Sequence, residues 1–137
     1  MRIDKDYLKG LLEAFESSDE PQTDINKLLI AGYDHQSKEF RFHVRLLEDR
    51  NLIGRVDGLA GIGFFSTKSD DTDDPGFFDA VPLRLTASGH EFLEAIRNQE
   101  VWATLKDGFK EASMGTLVTV SKELFSRVLN KQLDKYI

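Results

Sequence analysis

The sequence predicts an α+β fold with a helical extension at its C-terminal end, and three observations predict it. Apolar residues recur at helical spacing over residues 4–16 and again over 36–50. Two extended segments, residues 52–66 and Phe77 to Leu85, flank a polar, acidic loop and read as an antiparallel hairpin. From Thr86 onward helical spacing returns and runs to the end.

In the first segment Tyr7, Leu8, Leu11, Leu12 and Phe15 form an amphipathic stripe. Ser17-Ser18-Asp19-Glu20-Pro21 ends it, because proline cannot continue a helix and pushes its predecessor toward extended geometry. Residues 25–30, Ile-Asn-Lys-Leu-Leu-Ile, fit a short strand or a short helix equally, and are placed as a short strand in the element order. Gly32-Tyr33-Asp34 follows as a turn. Residues 36–50 carry the clearest helix. Phe40, Val44 and Leu47 face inward, and Lys38, Arg41 and Arg45 lie along another face among Glu39, Glu48 and Asp49.

Gly54, Gly58, Gly61 and Gly63 give the first extended segment its flexible points. These glycines match a phosphate loop in composition alone, since no strand-to-helix junction, lysine or hydroxyl stands at the needed offset. The loop after Phe65 holds Asp70, Asp71, Asp73 and Asp74 against Lys68. It lacks the spacing, turn glycine and distal glutamate of a calcium loop. Thr86 is placed as the N-cap of a helix with Phe92, Leu93 and Ile96 inward, and Gly89 as the point where this helix comes close to the preceding strand. A further helix carries Val101, Trp102, Leu105 and Phe109. Ser113-Met114-Gly115 breaks it, and Thr116 is placed as the cap of a last helix with Leu117, Val120, Leu124, Val128 and Leu133 inward.

A helix between short strands, followed by a hairpin, is the winged variant of the helix-turn-helix plan, so the expected architecture is winged-helix-like over residues 1–99 with a two-helix extension over 100–137. Two runs carry a resemblance. Phe42-His43-Val44-Arg45-Leu46-Leu47-Glu48-Asp49-Arg50-Asn51-Leu52-Ile53 resembles the end of the third helix in many winged-helix proteins. Arg84-Leu85-Thr86-Ala87-Ser88-Gly89-His90-Glu91-Phe92-Leu93-Glu94-Ala95-Ile96-Arg97, with Val101-Trp102 and the Asp6-Tyr7-Leu8 start, is similar to domain of unknown function family 2513. That resemblance implies a bacterial or phage setting and supports the fold; it assigns no activity. The chain differs from the common winged-helix pattern in two places. Asn51 stands where glycine is usual, a position asparagine can take in the left-handed conformation at modest cost. Asp34 to Lys38 leaves little room for a separate second helix, whose existence the sequence leaves open.

Composition narrows the function. The 137 residues, 40% of them apolar, suffice for one domain with its own core. No cysteine is present, which excludes thiol catalysis, disulfides and thiolate metal sites and fits a cytoplasmic location. His35, His43 and His90 are scattered without metal-ligand spacing, and Ser88 with His90 lacks a third member for a triad. The expectation is therefore no enzyme, cofactor, metal, small-molecule substrate or membrane. The formal charge is −6, divided as 12 basic and 20 acidic residues in 1–100 (net −8) against 6 and 4 in 101–137 (net +2).

Two functions compete. The first is a protein-interaction module, adaptor or antitoxin-like, in a phage or mobile-element setting. The second is a DNA-binding regulator that reads through the helix 36–50 with Lys38, Arg41 and Arg45. Four aspartates in the loop would repel a phosphate backbone and place the protein partner first. A shared positive face over the three cations would favour DNA. Trp102, Leu105, Phe109, Leu124 and Val128 are expected either to pack the last two helices onto the domain or to form a dimer interface between two copies.

Overall fold

The N-terminal helix α1, Lys5–Glu16, starts where the Asp4 carboxylate accepts the Tyr7 N–H at 3.0 Å, and it buries Leu8, Leu11, Leu12 and Phe15. These coordinates, a computed structural model, describe residues 1–65 and 76–137. The acidic loop with Lys68, Asp70, Asp71, Asp73 and Asp74 lies outside the described residues.

Residues 25–30 form a helix, α2 (Ile25–Ile30), where the element order placed a strand. The reason is a cap: the Asp24 carboxylate accepts the N–H groups of Asn26 and Lys27 at 2.9 and 3.0 Å. Ile25 and Leu28, three apart, then face the core while Ile30 is left in solvent, a helical rather than an alternating pattern. The second helix therefore exists, ahead of the turn at Gly32 rather than after it. The strand character expected here belongs to Thr23, which exchanges two backbone hydrogen bonds with Leu83 at 2.7 and 2.8 Å.

Helix α3, Lys38–Asp49, is capped by the Ser37 hydroxyl on the Phe40 N–H and buries Phe40, His43, Val44 and Leu47. Asn51 follows at φ 56°, the left-handed residue that ends the helix. The hairpin comes in two pieces. β1 (Ile53–Arg55) pairs antiparallel with β4 (Leu83–Leu85), and β2 (Phe64–Phe65) with β3 (Phe77–Phe78). Neither extended segment stays continuous, because eight residues, 56–63, face only four, 79–82, across the gap. Gly58, Gly61 and Gly63 all have positive φ and absorb the excess chain.

Helix α4 (Ala87–Arg97) is capped by Thr86 as expected, its hydroxyl accepting the Gly89 N–H at 3.0 Å. Asn98 caps α5 (Gln99–Gly108). The last helix, α6 (Met114–Leu133), begins three residues earlier than expected. Ser113, not Thr116, caps it, and Met114 joins the core. One apolar cluster runs from α1 through α3, β4 and α4 to Val101, Leu105, Met114 and Leu117, so the last two helices share the core of the first three. Lys106 bonds Asp6 at 2.8 Å and Arg2 bonds Glu111 at 2.7 Å, tying the α5–α6 end back to α1.

Candidate functional site

Helix α3 buries one stripe and turns the rest of its surface partly or fully to solvent. Phe40, Val44 and Leu47 are completely buried, and His43 is 1% exposed. The His43 ring is a structural pin: Nδ1 donates to the Glu39 carbonyl at 2.7 Å, and Nε2 accepts the Asp4 N–H at 2.9 Å. With one nitrogen donating and the other accepting, both ring nitrogens are occupied and neither is left for metal ligation.

The side away from that stripe carries Lys38, Arg41 and Arg45, with Glu48 and Asp49 among them. The spacing of the three cations, three and four residues, sets them on one face about two turns long. Lys38 and Arg45 are exposed, and Arg41 is half-buried. Among the described residues the ion pairs are Arg2–Glu111, Arg55–Asp57, Arg97–Glu16, Lys106–Asp6 and Arg127–Glu123. None joins Lys38 or Arg45 to Glu39, Glu48 or Asp49, the pairing a plain solvated helix face would show.

The hairpin stands beside this face. Because consecutive strand residues point to opposite sides, each Phe-Phe pair must send one ring inward and one outward. Phe64 and Phe78 turn inward. Phe78 meets Phe40 edge-on at 5.6 Å between centroids, and the Arg45 guanidinium lies 5.2 Å from the Phe64 ring centre. Phe65 and Phe77 turn outward, 5.6 Å apart and 46% and 49% exposed. This outward pair was not singled out from the sequence, although the doubled phenylalanines were its signal. Between hairpin and helix lies a cleft of about 370 Å³ lined by His35, Gln36, Arg41, Gly76, Phe77 and Phe78. Beyond it, at the far end of the hairpin, the Arg55 guanidinium holds the Asp57 carboxyl below the usual carboxylate range through a 2.6 Å bond.

The residues expected at a self-association face separate. Leu105 is 1% exposed and belongs to the core, so its side chain is absent from the surface. Trp102 is half-buried between the Lys9 and Lys106 ammonium groups, 4.7 and 5.7 Å from its ring centre. Phe109, Leu124 and Val128 are half-buried too, and the last two line a groove between α5 and α6. Leu133, expected inward, is 54% exposed. Among the described residues no group of three or more His, Asp or Glu could hold a metal ion, and no helix is long and apolar enough to cross a membrane.

A mixed α+β chain whose α3 carries Lys38, Arg41 and Arg45 on its outward side beside an aromatic hairpin is the class these features define. The chain belongs to the family described as "Hypothetical protein (DUF2513)", whose model matches residues 2–115. Those residues take in every element from α1 through α5, the α3 face and the hairpin included. It is also similar to an uncharacterized protein of Haemophilus influenzae, 25% identical over 133 residues, which covers 97% of this chain and 99% of the relative. No solved structure matches the chain.

Proposed function

We propose that this chain is a non-catalytic, cytoplasmic, winged-helix-like binding module whose α3 face docks on duplex DNA. The order α1, bridged Thr23, α2, α3 and hairpin supports the winged-helix reading, with Thr23 in the place of a first strand and β4 between it and β1. The observation that carries the DNA reading is the shared outward face of Lys38, Arg41 and Arg45, where Lys38 and Arg45 have no carboxylate partner among the described residues. The aspartates of residues 66–75 oppose a phosphate backbone, so the contact is confined to α3 rather than spread along the hairpin. Three phosphate contacts would give a log–log salt slope of roughly −3. Fluorescence anisotropy with mixed-sequence duplex DNA across a salt series tests this. The reading expects such a slope, and expects the Lys38→Ala/Arg41→Ala/Arg45→Ala variant to lose binding. Failure of the wild-type chain to bind at low salt overturns it for general DNA affinity.

A protein partner is the second reading. The exposed Phe65–Phe77 pair favours it, since outward aromatics beside arginines are the usual anchors of a protein interface. It expects Phe65→Ala/Phe77→Ala, rather than the α3 triple variant, to abolish partner capture.

A further inference from the structure

Arg45 has two kinds of neighbour to choose from. On its own helix Glu48 and Asp49 follow it by three and four residues, the spacing at which a guanidinium and a carboxylate can meet on a helix surface. Across from the helix stands the Phe64 ring of β2. The guanidinium takes the ring: its carbon lies 5.2 Å from the ring centre, and among the described residues no ion pair joins Arg45 to Glu48 or Asp49. The balance has the sign physics expects. An exposed cation over a ring face gains roughly two- to fivefold in an equilibrium, and a helical ion pair at most about twofold.

The ring is itself held in place. Phe64 stands opposite Phe78 in the β2–β3 pair, with ring centres 4.9 Å apart, and Phe78 meets Phe40 edge-on. Phe40 is completely buried, so this aromatic stack is rooted in the core. The tip of the Phe64 ring lies against Gly76, where an added Cβ would come 2.7 Å from Phe64 Cζ. The stack thus leaves α3 at Phe40, crosses both strands and returns to α3 at Arg45.

The ring contact spares what a carboxylate would use up. A carboxylate partner takes the guanidinium N–H groups pairwise and cancels the charge. A ring face holds the cation through its quadrupole and leaves both the charge and the N–H edges to a further ligand. Arg45 stays exposed while its direction is fixed.

We propose that Phe64 is a positioning residue for Arg45: it holds the guanidinium away from Glu48 and Asp49 and ready for a phosphate. This role rests on the reading of α3 as the DNA-binding face. Phe64 acts through Arg45 and not through the ligand. Without the ring, Arg45 falls back on Glu48 or Asp49 and one phosphate contact weakens, while Lys38, on the turn before, is unaffected.

A double-mutant cycle read by fluorescence anisotropy with duplex DNA at low salt tests it. Phe64→Leu should lower affinity roughly two- to fivefold with the far-UV circular dichroism spectrum unchanged. The same substitution should have no effect in an Arg45→Ala chain and its full effect in a Lys38→Ala chain. Glu48→Gln/Asp49→Asn should raise the affinity of the Phe64→Leu chain more than that of the wild type, because only there do these carboxylates hold Arg45. Lost hairpin packing alone would not be rescued in this way. Proton NMR of the wild-type chain reads the placement with Phe64 intact, and so decides the matter even where Phe64→Leu unfolds: ring current should move the Arg45 side-chain protons upfield of those of an unstructured arginine. A wild-type chain that does not bind DNA overturns the DNA reading, and this role with it. In a wild-type chain that does bind, a Phe64→Leu effect that persists without Arg45, equal gains from the carboxylate substitutions in both backgrounds, or unshifted Arg45 resonances would each overturn the positioning role alone.

Discussion

Gly89→Ala should destabilise the fold, although it places the best helix former inside a helix. In isolation the exchange favours the helix by about 1 kcal/mol. The structure opposes it with a collision. A Cβ at position 89 would overlap the Leu52 carbonyl oxygen, with the carbonyl carbon at 3.0 Å and Leu85 Cδ2 at 3.3 Å. That carbonyl is held in place, because it accepts the Thr86 N–H at 3.0 Å while the adjacent Asn51 carbonyl accepts the Thr86 hydroxyl at 2.6 Å. Relief requires α4 to move away from the start of β1. Overpacking of this kind costs about 1–3 kcal/mol, and each hydrogen bond lost adds about 1 kcal/mol. After the helical gain is subtracted, the net loss is about 1–3 kcal/mol, or a Tm lower by roughly 3–10 °C for a chain of this size. Gly108→Ala supplies the contrast. Gly108 ends α5 with nothing within 4 Å of an added Cβ, so the same substitution should be neutral or stabilising by up to about 1 kcal/mol. Urea unfolding followed by circular dichroism measures both. A Gly89→Ala chain as stable as Gly108→Ala would refute the close approach of α4 to Leu52.

Thr86→Ala removes both the α4 cap and the bond to Asn51, and should cost about 1–2 kcal/mol by the same measurement. His43→Phe keeps the ring volume but leaves the Asp4 N–H without its acceptor, with an expected loss of about 1–3 kcal/mol in urea midpoint analysis. Asn51→Gly at φ 56° should be neutral to slightly stabilising, whereas Asn51→Val should cost about 1–2 kcal/mol. Burial raises the Tyr7 and Tyr33 phenols above the ordinary 10.0. The folded state then holds their protons more tightly than the unfolded chain, so the stability they contribute is complete below pH 10 and falls as pH rises past it. Thermal melts from about pH 9 to about pH 11 should show a steeper loss for the wild type than for Tyr7→Phe/Tyr33→Phe.

What the sequence disclosed follows the locality of the physics. The Thr86 cap and the left-handed Asn51 each depend on a few neighbouring residues, and the structure bears out both, whereas Gly89 makes its tightest approach to the Leu52 backbone ahead of β1 and only then to Leu85 of the preceding strand. The α1 and α3 stripes were legible because their buried residues recur at one helical period. Residues 25–30 were misplaced because six residues cannot separate a period of 3.6 from one of 2. The Asp24 cap, which does separate them, stood one residue outside the apolar run. The Arg45 contact with Phe64 was out of reach for another reason: it joins residues from different elements that only the tertiary fold brings together.

Helix α6 shows where local rules run out. Its apolar residues form two adjacent flanks, Leu117, Val120, Leu124 and Val128 on one and Val118, Phe125, Leu129 and Leu133 on the other. Either flank satisfies a helical period, so periodicity alone cannot say which one meets the core. The decision belongs to α4 and α5, which take the first flank and the root of the second and stop short of the helix end. Leaving Leu129 and Leu133 in water forgoes about 1–2 kcal/mol of burial at each. Single exposed apolar residues are ordinary on a protein surface, but Leu129 and Leu133 on one flank, continuous with the apolar groove between α4 and α6, make a contiguous patch.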